Sequence, residues 1–150
     1  MAKILVIYAS MTGSTELMAE AMVDHIHDLG HDVDKRSFDF EPLDSAEDML
    51  GYDGILIGSY TWDDDLPYEV EDFYDELENV DLSGKLIGVF GSCDSFYPVY
   101  GAALDTISTR VSERGASIYG EKLKIELEPD KKDIEACKQF AEGMLKQLAQ

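Results

Sequence analysis

Ser10, Thr12, Ser14 and Thr15 crowd hydroxyl groups around Gly13 at the end of the run Ile4-Leu5-Val6-Ile7-Tyr8-Ala9. The run is continuously apolar and too short for a helix, and a helical pattern begins directly after Gly13. That combination predicts a buried parallel strand, a tight loop and a helix N-terminus. Backbone N–H groups at such a junction point outward without intrahelical partners, and the helix dipole adds partial positive charge. Together they bind phosphate. The hydroxyls add further donors. The loop holds no Lys or Arg, so its phosphate is held by neutral groups. Other chemistries fail on spacing. Ser14 follows Gly13 where a Walker loop needs lysine, a dinucleotide loop needs three spaced glycines, and neither Ser10 nor Ser14 sits in G-x-S-x-G.

Two later segments carry aromatics where a core would not need them. Gly58-Ser59-Tyr60-Thr61-Trp62-Asp63-Asp64-Asp65 contains the single tryptophan in a polar, acidic stretch. Gly91-Ser92-Cys93-Asp94-Ser95-Phe96-Tyr97-Pro98-Val99-Tyr100-Gly101 holds three more aromatics. Large rings in loops provide stacking surfaces. One phosphate cradle with two aromatic loops suits a flat heterocycle bearing one phosphate, a description that FMN fits.

The elements that must position these loops alternate strand and helix along the chain. Strands are expected at 3–8, 32–38, 52–58, 86–90 and 117–127. Helices are expected from about Gly13 to Gly30, over 67–78, around Leu104, Ile107 and Val111, and from Ile134 to Leu148. Strict alternation implies a parallel sheet with helices on both faces and right-handed crossovers. For five strands the order 2-1-3-4-5 reverses between the first and third strands, and ligands bind outside the carboxyl ends of the strands there. The three loops then meet at that edge. No linker or repeat divides the chain, so one domain over 1–150 is expected.

Composition narrows the partners. The 150 residues include 32 Asp and Glu against 12 Lys and Arg, a formal net charge of −20. No Lys or Arg lies between Arg36 and Lys85, while acidic residues crowd the later part of that interval. This excludes nucleic acid and anionic lipid, and it favours a basic protein partner. No apolar run is long enough to span a bilayer, and the first strand begins too early for a signal peptide. Cys93 and Cys137 are unclustered, which suits a reducing cytoplasm. No metal site is expected. His25 and His27 face different sides of a helix, His31 lies in a turn, and Asp63-Asp64-Asp65 lacks the glycine and distal glutamate of a calcium loop. Cys93 is read as a small side chain filling space, because no basic neighbour lowers its pKa.

Over its whole length the chain resembles the flavodoxins. Ser10-Met11-Thr12-Gly13-Ser14-Thr15, preceded by Tyr8 and followed by Ala19, is similar to the family's phosphate loop. Thr61-Trp62 with the acidic run after it resembles the first flavin loop, and Gly91-Ser92-Cys93-Asp94 with Tyr97 resembles the second. The resemblance is to the short-chain class and implies the flavodoxin-like three-layer sandwich. It implies an electron carrier without catalytic residues, with FMN bound non-covalently. Residues 10–15, Met11 included, would hold the phosphate. Trp62 would cover the inner face of the ring and Tyr97 the outer face. Backbone groups of Asp94 and Gly101 would bond the pyrimidine O2, and the Val99 carbonyl would accept from N3. Tyr60, Thr61, Asp63, Asp64, Ser92 and Cys93 complete the expected contacts, with the peptide after Trp62 beside N5. Implied partners are an NADPH- or ferredoxin-linked reductase as donor and a monooxygenase or desaturase as acceptor, meeting a monomer. The alternative on this fold is an FMN-dependent NAD(P)H:quinone reductase, which needs room over the ring that Trp62 and Tyr97 would close. A phospho-acceptor signalling domain shares the strand order but requires acidic residues where this chain has Ala9-Ser10 and Gly58-Ser59.

Two positions depart from the family pattern. Cys93 replaces a glycine in the second loop, and Asp63 replaces the glycine that usually follows the aromatic of the first. In the family the peptide at that point turns over on reduction, which requires positive φ. Aspartate reaches that conformation at a cost of about 1–3 kcal/mol. For one electron this is roughly 40–130 mV. Asp63→Gly is therefore expected to raise the potential of the first electron by that order, and Asp63→Asn to recover only part of it. Spectroelectrochemical titration measures both, and a glycine variant at or below the parent's potential sinks the turn assignment.

Overall fold

A computed structural model describes residues 2–11, 13–61, 66–95 and 100–149. Six strands form one parallel sheet: β1 (Lys3–Tyr8), β2 (Asp32–Ser37), β3 (Gly54–Gly58), β4 (Leu86–Cys93), β5 (Ser117–Ile118) and β6 (Leu123–Glu126). The order is β2-β1-β3-β4-β5, with β6 also paired to β4. This is the expected 2-1-3-4-5 arrangement, with its reversal between β1 and β3. The helices are α1 (Ser14–Asp28), α2 (Tyr68–Glu76), α3 (Ala102–Glu113) and α4 (Lys131–Leu148).

Alternation along β1 shows how the sequence builds three layers. Ile4, Val6 and Tyr8 face α1 and α4, packing with Met18, Met22 and Ile26 and with Cys137, Ala141 and Met144. Leu5, Ile7 and Ala9 face the other way, against Val70 and Phe73 of α2 and Leu104, Ile107 and Val111 of α3. A strand buried on both faces reads as one apolar run because each face has its own core. Helix α1 ends ahead of Gly30, whose φ is 88°. Helix α4 begins with a reciprocal capping box between Asp130 and Asp133.

Four boundaries differ from expectation. β3 starts at Gly54 rather than at Tyr52, which instead closes a 3-10 turn over Ala46–Gly51. That turn opens with a capping box between Ser45 and Asp48. α2 tightens into a 3-10 turn at Leu77–Asn79. β4 runs on to Cys93, because Phe90 to Cys93 find a paired strand in β6. The fifth strand divides. β5 pairs beside Leu86 and Ile87, the chain leaves the sheet, and β6 returns beside Phe90. The exit is made by Tyr119, whose ring packs edge-on to Phe140 of α4 at 4.9 Å between centroids.

The ends of β3 and β4 approach so closely that a side chain at Gly91 is excluded. A Cβ there would lie 2.0 Å from the Ser59 carbonyl oxygen. Gly91→Ala must therefore push β4 away from the chain at the point where the loop after β3 leaves. We expect a loss of at least about 3 kcal/mol in urea unfolding, at the upper end for overpacked sites. A loss under about 1 kcal/mol would mean that the strands part easily there.

Candidate functional site

The loop after β1 is wound around one serine. Ser10 Oγ accepts from the N–H groups of Gly13 and Glu16, each at 3.2 Å. Gly13, at φ 93° and ψ −8°, precedes the first turn of α1 in a left-handed conformation that turns the chain into the helix. Open space surrounds the place where a Cβ at Gly13 would be. Ser14 and Thr15 are buried. Glu16 carries the acidic charge of that first turn and is held aside by Tyr8, whose hydroxyl donates to Oε2 at 2.8 Å. Burial and then Glu16 push the Tyr8 phenol well above its ordinary value. Met11 is exposed. Thr12 lies outside the described residues.

Two hydrogen bonds join the loops. Thr15 Oγ1 accepts from Ser92 N–H at 3.3 Å, tying the first loop to the end of β4. Thr61 Oγ1 accepts from Ala103 N–H at 3.2 Å, tying the loop after β3 to the first turn of α3, just past Gly101. The loops expected to converge therefore do so, and through side chains singled out for other duties. The Thr15 oxygen takes an N–H and still has its own proton to donate.

Tyr60 and Cys93 point toward packing. Tyr60 lies against the core shared with α2 and α3, and its hydroxyl donates to both oxygens of Glu69 at 2.8 and 3.1 Å. Burial, then the charge and hydrogen bond of Glu69, hold Asp39 nearby above the usual carboxylate range. Cys93 is buried with its thiol toward the Gly91 carbonyl at 3.7 Å. Burial pushes that thiol up to about 11, a shift Lys124 opposes only in part. Cys137 is buried as well and raised to about 12, so neither thiol is a nucleophile near neutral pH. Trp62, Asp63 and Asp64 of the first flavin loop, with Tyr97 and Val99 of the second, lie outside the described residues. Among the described residues no group of three or more His, Cys, Asp or Glu side chains could hold a metal, and no helix is long and apolar enough to cross a membrane.

Residues that sequence reasoning passed over frame the second loop. Glu126 of β6 accepts from the Ser95 N–H and hydroxyl at 3.2 and 2.9 Å. Lys124 Nζ donates to the Tyr100 carbonyl at 2.7 Å and to Asp105 Oδ1 at 3.1 Å. Their alternation with Leu123 and Ile125 reads as an ordinary strand with one solvated face, so the sequence carried no signal of these contacts.

With this geometry in view, the likenesses to known proteins have a physical content. The family model described as Flavodoxin matches residues 6–140. "Probable flavodoxin 1" of Bacillus subtilis is 42% identical over 147 residues, covering 97% of this chain and 91% of that protein. A flavodoxin of Maridesulfovibrio salexigens is 37% identical over 137 residues, covering 89% and 92%. The crystal structure of oxidised Flavodoxin 1 from Bacillus cereus superposes with a TM-score of 0.92 at 42% identity, covering 97% of this chain and 98% of that one. The chain belongs to the flavodoxin family. It is an electron carrier with FMN as its cofactor, not an enzyme, and its work is done with redox partner proteins.

Proposed function

We propose that FMN lies across the three joined loops, its phosphate on residues 10–15 and its ring between Trp62 and Tyr97. The observation that supports this most is the pair of bonds from Thr15 to Ser92 and from Thr61 to Ala103, which draw the three loops to one edge of the sheet. The donor set suits the ligand. Gly13 leaves open space at the start of α1, the loop hydroxyls are neutral donors, and the Tyr8 hydroxyl donates a hydrogen bond to the nearby Glu16 carboxylate. Asp94 and Gly101 backbones, with the Val99 carbonyl, would receive the pyrimidine edge, and Tyr60, Thr61, Asp63, Asp64, Ser92 and Cys93 would line the remainder. Bound there, FMN supplies the electron chemistry. The chain sets its potential through charge. A carboxylate about 8 Å from the ring disfavours its anionic, fully reduced form by roughly 0.5–2 kcal/mol for effective dielectrics of about 80 down to 20.

The acidic surface supports a basic-faced reductase, linked to NADPH or ferredoxin, as donor and a monooxygenase or desaturase as acceptor. It acts as a monomer of one domain over 1–150, and its buried free thiols favour the cytoplasm.

Titrating the apoprotein with FMN is expected to quench flavin fluorescence at one equivalent, with riboflavin bound more weakly for want of the phosphate. Equal affinity for the two ligands would place the phosphate outside residues 10–15. Electron transfer from a reductase, followed by stopped flow, is expected to slow about tenfold or more between roughly 20 and 300 mM salt as the acidic face is screened. A flat second-order rate would reduce the acidity to a solubility device.

A further inference from the structure

The fifth-strand position carries two charged side chains, Lys124 half-buried and Glu126 exposed, that both bond to the second loop. Lys124 and Glu126 alternate with Leu123 and Ile125, which face the core on the α1 and α4 side. Both charged residues therefore project from the opposite face. β6 runs in register with the end of β4, Lys124 opposite Gly91 and Glu126 opposite Cys93. From there the two side chains reach both described ends of the second loop. Glu126 accepts from the Ser95 N–H and hydroxyl. Lys124 donates to the Tyr100 carbonyl, and its stem lies against Gly101, where a Cβ would stand 3.1 Å from Cδ and Cε. The strand itself is pinned to the same place, because Ser92 Oγ donates to the Leu127 carbonyl at 2.7 Å and Leu127 N–H to the Cys93 carbonyl at 2.8 Å.

We propose that Lys124 and Glu126 are positioning residues for the flavin: from one face of β6 they fix the separation of the Asp94 and Gly101 backbones that receive its pyrimidine, and their opposite charges shift its potential in opposite directions. This rests on the placement of FMN given above. The two backbones are seven positions apart in sequence yet must serve one edge of one ring. Ends held in place before the ligand arrives cost it less ordering than loose ones. The charge argument is independent of that. Lys122 and Lys124 share a single carboxylate, Asp105, each at 3.1 Å, so two cations stand beside Gly101, offset by Asp105 and by Glu126 on the same face of β6, in a chain of formal net charge −20. Burial tends to raise the Asp105 pKa, but the hydrogen bonds from Lys124 and Lys122 outweigh it and keep the carboxyl ionised. A cation there favours the added electron, and the Glu126 carboxylate opposes it.

The test uses the full chain, as parent, Lys124→Met, Lys124→Arg and Glu126→Leu. Riboflavin and FMN affinities are measured by fluorescence, and potentials by spectroelectrochemistry. Lys124→Met and Glu126→Leu are each expected to weaken both ligands about tenfold, since the phosphate loop is untouched. Their potentials move apart. Lys124→Met lowers the second-electron potential and Glu126→Leu raises it, each by about a threefold change in the ratio of reduced to oxidised affinity, roughly 28 mV. Lys124→Arg keeps charge and donor and stays within about twofold of the parent in both measures. Unchanged riboflavin affinity in both variants, potentials shifting the same way, or an arginine variant as impaired as the methionine one overturns the assignment. A parent that binds neither ligand removes the flavin placement itself.

Discussion

Parallel hydrogen bonding between β1, β3 and β4 is the constraint from which the rest follows. It sends every strand in the same direction, so the loops after β1, β3 and β4 leave from one edge, and each return must cross a face of the sheet, through α1, α2 and α3 and, between β2 and β3, through a segment that carries the 3-10 turn Ala46–Gly51. Reversal of strand order between β1 and β3 then sends α1 and α2 to opposite sides and opens a crevice between their loops. The chemistry is set by what those loops contain, and the sheet decides that they meet. The close approach at Gly91 is part of the same constraint, because the loop after β3 could not leave alongside β4 if a side chain stood between them.

Across the crevice, hydroxyls serve as hardware as well as ligand donors. Ser10 closes the first loop on itself, Thr15 fastens it to β4, and Thr61 fastens the second segment to α3. Each of these oxygens satisfies a backbone N–H that would otherwise be short of a partner near a chain reversal. The first loop is built of small neutral groups, and the charged side chains nearest the described loops, Glu16, Glu69, Asp105, Lys124 and Glu126, are each engaged in hydrogen bonds.

The sheet order and the strand–turn–helix junction at Gly13 were legible in the sequence because each has a strong local signature. A doubly buried strand is a continuous apolar run, and Gly13 among hydroxyls marks the turn. The end of β4 was not legible. Gly91-Ser92-Cys93 reads as loop by composition, and its strand character comes from β6, a partner more than thirty residues away. The break in the fifth strand was hidden for a similar reason, since Tyr119 looks like any strand aromatic until α4 offers Phe140 to pack against. The 3-10 turn at Ala46–Gly51 did carry a readable sign, Ser45 three residues before Asp48, in a segment too short for a periodicity to show. Lys124 and Glu126 escaped notice because a charge on a strand ordinarily means solvent.

The divided edge of the sheet has a consequence for how this architecture can grow. β5 and β6 are each registered independently on β4, and between them only Gly120 and Glu121 reach fully into solvent. Nothing lies within 4 Å of where a Cβ at Gly120 would be. Chain added at that tip would leave both registers in place, at an entropic cost that rises by only about 0.6 kcal/mol for each doubling of length. The outer rim is thus a seam where the fold can acquire a new module, a tag or a reporter, while the crevice on the other side of β4 keeps its dimensions.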